Sequence, residues 1–251
     1  MNMRIASTAA AVVVASMVAT SASAYTLLSP ARRWFNSQTP ITVHVDSGGI
    51  ASVTGGDPDG GATATVNAVR AWNANGVNVI NSSKTGVAYQ QGDGISDILF
   101  SDPLHLCTGS CLAATLTGYY TTSSTGTCGG LSVVKVTDAD VAFNLSYNYY
   151  TAAQGGCSNE ISLESVATHE VGHVIGLAHS NTSSALMYPT VSYCNPKPVG
   201  SDDINGRNAL YNCTLTEGGG GGCGGVGTSC TNNSECCSNS CKGKPGGKTC
   251  K

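Results

Sequence analysis

The residues from His169 to His179 read H-E-V-G-H-V-I-G-L-A-H. His169 and His173 are four positions apart, so on a helix they lie on one face, one turn above the other. Two neutral imidazoles at that spacing can grip one zinc ion. Glu170 sits beside the first of them, placed to take a proton from the water that such a metal activates. Gly176 tolerates left-handed backbone angles, so it can end the helix and swing the chain back. That turn brings His179 to the metal as a third ligand. Three protein ligands leave a fourth position open for water, the mark of a catalytic rather than a structural zinc site. The bland alternative is a buried amphipathic helix with incidental histidines. It does not explain why three of the chain's five histidines fall within eleven residues. Met187, in A-L-M-Y-P (185–189), supplies the methionine turn that accompanies the long form of this motif.

On these residues the chain resembles the metzincin metalloproteases, and within them the matrixins, over about residues 31–213. Ser180 directly after His179, Met187-Tyr188-Pro189, the run S-D-D-I-N-G at 201–206 and the run D-V-A-F-N at 140–144 carry the closer likeness. The resemblance implies an α+β fold, a metzincin-type twisted mixed β-sheet with three main helices, the active-site helix carrying the zinc motif. It implies a zinc-dependent endopeptidase with His169, His173 and His179 as metal ligands and Glu170 as general base. Met187 would be a structural base beneath the metal. Pro189 stands where some metzincins carry a zinc-reaching tyrosine, so no tyrosine switch is expected. The strand within 112–120 would be the sheet edge on which an extended substrate pairs by backbone hydrogen bonds. Residues 188–195 would wall the pocket for the side chain after the cleaved bond. The family's structural zinc needs histidines and an aspartate before that strand. Only His105 is available, so one zinc is expected. No cysteine lies between Ala24 and the first strand, so latency through a propeptide cysteine is not expected.

The 251 residues suffice for one sizeable core and a small appendage. Charged residues make up 11% and the net charge is −3, which gives no basic footprint for nucleic acid and no polybasic patch for a membrane. A polypeptide substrate and a monomer are expected. Twelve cysteines, an even number, suit an oxidising compartment and up to six disulfides. Residues 1–24 read as a signal peptide: Arg4, an apolar run from Ala9 to Val18, and Ala22-Ser23-Ala24 as a small-x-small cleavage site. The alternative is an uncleaved anchor. The expectation is a secreted, extracellular protein.

Ile41, Val43 and Val45 alternate with Thr42, His44 and Asp46, predicting a strand with His44 on its solvent face. The Gly- and Asp-rich loop 47–61 reads as a solvated turn. Ca2+ at Asp57 and Asp59 is possible chemistry without a clear motif. A helix is predicted over Ala62–Asn75, strands over Gly94–Phe100, Leu131–Val136 and Ala139–Asn144, and a loop from Ser146 to Asn159. Asn159 or Ser162 would cap the active-site helix, with Val166, Val171, Val174 and Leu177 on its buried face. Ser201 would cap a last helix over Asp202–Tyr211. Residues 25–39 read as a lead-in. Cys107 and Cys111 would close a tight loop, or else form a two-thiolate zinc half-site. Cys194–Cys213 and Cys128–Cys157 are the bridges expected for the rest of this domain.

Five glycines at 218–222 follow Glu217 and form a flexible linker (217–222) between a catalytic domain (25–216) and a cysteine-rich module (223–251). The spacing C-x6-C-x5-C-C-x3-C-x8-C resembles an inhibitor cystine knot, or knottin. That resemblance implies the pairs Cys223–Cys237, Cys230–Cys241 and Cys236–Cys250. So small a unit needs cross-links in place of a core. It lacks aromatic residues and carries Lys242, Lys244, Lys248 and Lys251. The rival reading of the whole chain is a secreted binding or toxin-like protein with this module as the active part. Glu170 argues against it, because a scaffold needs no base.

Overall fold

The computed structural model describes residues 24–50, 57–87, 89–103, 105–120, 125–154, 157–217, 227, 229–233, 240–244 and 247–251. All but Ala24 of the signal-peptide reading (1–24) and all but Glu217 of the linker reading (217–222) lie outside these residues. The elements follow in chain order as β1 (Thr26–Leu27), β2 (Arg32–Arg33), β3 (Ile41–Asp46), α1 (Ala62–Val69), β4 (Ile80–Thr85), β5 (Ser96–Leu99), β6 (Ala113–Tyr119), β7 (Thr125–Cys128), β8 (Leu131–Phe143), β9 (Tyr149–Tyr150), β10 (Ile161–Ser162), α2 (Leu163–Val174), β11 (Leu177–Ala178), α3 (Ser201–Tyr211) and β12 (Leu215–Glu217).

The main sheet runs β4-β3-β5-β8-β6. Its first four strands are parallel, and β6 closes the edge antiparallel to β8. With α1, α2 and α3 this is the α+β, mixed-sheet architecture expected. Strand β3 has the predicted alternation, with Ile41, Val43 and Val45 buried. Its His44 is half-buried, with Nδ1 3.4 Å from Asp97 Oδ1. The two strands predicted over 131–144 are one. Strand β8 runs unbroken through Thr137-Asp138 because β6 pairs along it, absorbing the irregularity in a register shift at Gly118/Tyr119. Its first half pairs with β2 and β7, its second with β5 and β6, so this one strand joins both parts of the sheet. Gly129 and Gly130, both at positive φ, make the two-residue turn that joins β7 to β8.

Several expectations are corrected. Helix α1 ends at Val69 and tightens into a 3-10 turn over Arg70–Trp72. Trp72 is fully buried there, with Nε1 donating to Thr168 O. Strand β4 was not predicted, since N-S-S-K-T after Ile80 carries no apolar alternation. Its place comes from parallel pairing with β3. Residues 25–39 are no lead-in. Strand β1 pairs with β11, β2 pairs with β8, and Arg33 and Trp34 are buried. The cap of α3 is Gly200, whose N–H donates to Asp203 Oδ2 at 2.8 Å, one residue before the predicted Ser201. Asp57 and Asp59 are taken up by protein donors. Asp57 accepts from Gly61 N and Thr151 Oγ1, while Asp59 accepts from Thr63 and from Lys84 Nζ at 2.7 Å.

The disulfides formed between described residues are Cys107–Cys111, Cys128–Cys213, Cys157–Cys194 and, in the tail, Cys230–Cys241. The tight loop at 107–111 and the Cys230–Cys241 pair match expectation. Cys194–Cys213 and Cys128–Cys157 do not form. Strand β12 pairs with β7 and sets Leu215 opposite Cys128, which carries Cys213 to Cys128 instead. Cys194 N donates to Glu160 O, which carries Cys194 to Cys157. The other two knottin pairs involve Cys223, Cys236 and Cys237, outside the described residues. Cys241–Lys242 and Thr249–Cys250 form a small antiparallel ladder in that module. Among the described residues no helix is long and apolar enough to cross a membrane.

The core gathers α1, α2 and the sheet around Trp72, Phe143, Tyr149, Leu163 and Ile175. Gly176 lies at φ +106, and a Cβ there would stand 2.1 Å from Arg32 O. Gly176→Ala is therefore expected to cost about 2 kcal/mol or more of stability, read by urea denaturation. A wild-type midpoint would contradict this. Asp140, on β8, is buried with no hydrogen-bond partner at Oδ2 among the described residues. Burial, then the charge of Asp138, pushes its carboxyl up to about 7. A raised carboxyl favours the fold at low pH and loses that contribution as pH rises through the folded value. Asp140→Asn keeps an acceptor for Asp97 N and removes the charge. Metal-free variant should melt above wild type at pH 8 by at least roughly 2–4 °C, the equivalent of about 1 kcal/mol. The advantage should vanish at pH 4.

Candidate active site

Helix α2 begins where Ser162 Oγ accepts from Ser165 N at 3.2 Å, so of the two caps expected it is Ser162, not Asn159. Val166, Val171 and Val174 are buried as expected. Leu177 is buried too, but in β11 beyond the helix. The last carbonyls of the helix, which lack partners within it, are met from outside. Trp34 Nε1 donates to Val174 O and Tyr211 Oη to Ile175 O, both at 2.9 Å. Gly176 then reverses the chain. Leu28 N donates to its carbonyl, and β11 leads to His179.

The structure brings His169, His173 and His179 together, with one nitrogen of each within 4.8 Å of the others. His169 Nδ1 lies 2.7 Å from Leu186 O, and His173 Nδ1 lies 2.8 Å from Leu177 O. A carbonyl oxygen only accepts, so both Nδ1 atoms carry the proton and both Nε2 atoms present a lone pair. Burial pushes His169 down to about 3, reinforced by His173. Burial lowers His173 and His179 as well. The cluster is thus three converging neutral imidazoles, the donor set a borderline-soft dication such as zinc requires. The three residues could hold one metal ion.

Glu170 is buried beside them. Its Oε2 accepts from Thr115 Oγ1 of β6 at 2.6 Å. Burial pushes its carboxyl up to about 7, with the Thr115 hydrogen bond acting the other way. Met187 is buried against the same helix. A Cβ on Gly172 would stand 2.2 Å from Met187 Sδ, so the glycine inside the motif permits this approach. Asp203 shapes the methionine turn, accepting from Leu186 N and Met187 N at 2.9 Å. Asp202 accepts from Ser180 Oγ at 2.6 Å and from Ala24 N at 3.1 Å. Read from sequence, these aspartates serve the helix dipole. Folded, they also hold the turn that supplies Leu186 O to His169.

A cleft of ≈ 590 Å³ opens above His169, Glu170 and His179. Ala113 on the β6 edge lines one side, and Tyr188, Pro189 and Thr190 line the other, as expected for 188–195. Two features of this wall carry no sequence signal. Cys157–Cys194 staples its far end. Lys197 Nζ donates to Ser183 O at 2.8 Å and Thr190 O at 3.3 Å, and lies 4.9 Å from the Tyr188 ring centroid. Thr115 likewise has no motif, because its meaning depends on a helix 55 residues away.

The chain is 52% identical over 56 residues to human matrix metalloproteinase-20, covering 22% of this chain and 12% of the relative. It is 44% identical over 62 residues to metalloendoproteinase 5-MMP of Arabidopsis thaliana (24% and 17%), and 48% identical over 52 residues to metalloendoproteinase 4-MMP of the same plant (20% and 15%). The matched stretch thus spans less than a fifth of each of these relatives. The matrixin profile matches residues 78–212, more than half of the 251 residues, and takes in the β6 edge, the three histidines, the methionine turn and α3. The chain belongs to the matrixin family.

Proposed function

We propose that the protein is a secreted zinc-dependent endopeptidase that hydrolyses peptide bonds in polypeptide substrates. The observation that carries this reading is the convergence of three neutral imidazoles beside a buried glutamate, on the floor of a cleft bordered by the edge of β6 that no strand among the described residues pairs with. His169, His173 and His179 would hold the metal. Zinc bound there supplies an activated water and an electrostatic sink for the oxyanion that develops on the scissile carbonyl. Glu170 accepts the proton of the attacking water and passes it to the leaving nitrogen, so the C–N bond breaks with an amine as product. The outer edge of β6 offers its backbone N–H and C=O groups to an extended substrate. The wall at Tyr188–Thr190 receives a side chain of that substrate. Met187 is a structural base under the ligands and takes no part in proton movement.

The proposed organisation is a signal peptide over 1–24, a catalytic domain over 25–216, a linker over 217–222 and a cysteine-rich module over 223–251. Four disulfides among the described residues support an oxidising, extracellular compartment.

Secreted protein should carry about one zinc per chain and cleave unfolded casein. Chelation should abolish cleavage, and zinc should restore it. Glu170→Ala should retain the zinc and lose roughly 10²–10⁴-fold in kcat/KM. Zinc-free wild type, or an active Glu170→Ala, would overturn the reading and turn attention to the cysteine-rich module. The pH–rate profile gives a second check. Glu170 must be ionised to accept a proton; burial raises it and a dication opposes that rise. The acid limb of kcat/KM should therefore fall between 4.5 and about 7, with activity lost as pH drops through it.

A further inference from the structure

Thr115 lies in the middle of β6, opposite Val141 of β8, with α2 packed beneath. Its hydroxyl is 2.6 Å from Glu170 Oε2 and 3.1 Å from the Glu170 backbone oxygen. A hydroxyl carries one proton and both of these oxygens are acceptors when Glu170 is ionised, so only one contact is donated at a time. The shorter, charge-assisted contact to the carboxylate prevails. No other hydrogen bond holds the Glu170 carboxylate among the described residues. A glutamate side chain has three rotatable bonds, and a buried one tethered at a single oxygen has the other left over for chemistry.

Resting on the endopeptidase reading, we propose that Thr115 is a positioning residue for Glu170: its O–H fixes Oε2 and leaves Oε1 to take the proton of the attacking water. The tether comes from the strand on which an extended substrate would pair, not from the helix that carries the base. Docking of a polypeptide on the β6 edge and placement of the base therefore depend on one backbone. A displaced β6 would carry both out of register together. A misplaced base costs rate without weakening substrate binding, because proton transfer depends on the distance between the reacting atoms.

Thr115→Val keeps the β-branched shape and removes the hydroxyl. Thr115→Ser keeps the hydroxyl and removes a methyl. With zinc content measured on each, Thr115→Val should lose about tenfold or more in kcat with KM within about twofold, while Thr115→Ser stays near wild type. Crystals of Thr115→Val should show the Glu170 carboxylate displaced or split between rotamers. Three results would each overturn the proposal: wild-type kcat in Thr115→Val, equal losses in the valine and serine variants, or Glu170 unmoved in the valine crystal. If zinc-loaded wild type cleaves no polypeptide, the endopeptidase reading fails by itself. The crystal comparison then still decides whether Thr115 places Glu170.

Discussion

Two backbone carbonyls govern this molecule. Leu186 O and Leu177 O each take the Nδ1 proton of a histidine, which leaves the opposite nitrogens as lone-pair donors facing one point. Imidazoles buried without such partners would be free to adopt the wrong tautomer or rotate away. The fold is arranged so that these carbonyls, one in β11 and one in the methionine turn, stand where the helix needs them.

Each carbonyl has its own support. Leu177 follows Gly176, whose positive φ and close approach to Arg32 O let β11 run back beside β1. Leu186 belongs to a turn whose N–H groups are held by Asp203, while Asp202 holds Ser180 on the far side of His179. Helix α3 thus works as a bracket under the histidine cluster, and Cys128–Cys213 fastens its end to β7. The chain at Leu28 is drawn into the same bracket through Gly176.

The other half of the site hangs on β8. This long strand carries β6 on its outer side, and β6 supplies both the exposed backbone edge and the Thr115 hydroxyl. The same strand buries Asp138 and Asp140, whose carboxyls are raised chiefly by burial. Stability is given up there. Lys197 and the Cys157–Cys194 bridge brace the opposite wall. The cleft is therefore bounded by one wall held through strand pairing and another held by cross-links and an ammonium group.

The histidine motif, its glycine and a helix cap at Asn159 or Ser162 were legible in the sequence, because each rests on spacing within one or two turns of chain, where helix geometry and glycine's freedom leave few alternatives. The methionine turn and the α+β class were legible through the resemblance to the matrixins. The sequence also showed Cys107–Cys111, for the same reason of short range. It did not show Cys128–Cys213 or Cys157–Cys194, the strand Ile80–Thr85, or the unbroken run of Leu131–Phe143. Those follow from which strand pairs with which, and a polar strand such as Ile80–Thr85 has no local pattern to announce it. Arg33 reads as a surface residue by type and is buried in fact, because the Leu210 and Trp34 carbonyls and Asn36 meet its guanidinium. Thr115 beside Glu170 and Asp203 beneath Met187 belong to this second group. Local spacing determines which residues are able to do chemistry; only long-range packing decides which hydroxyls, carboxylates and carbonyls hold them in place.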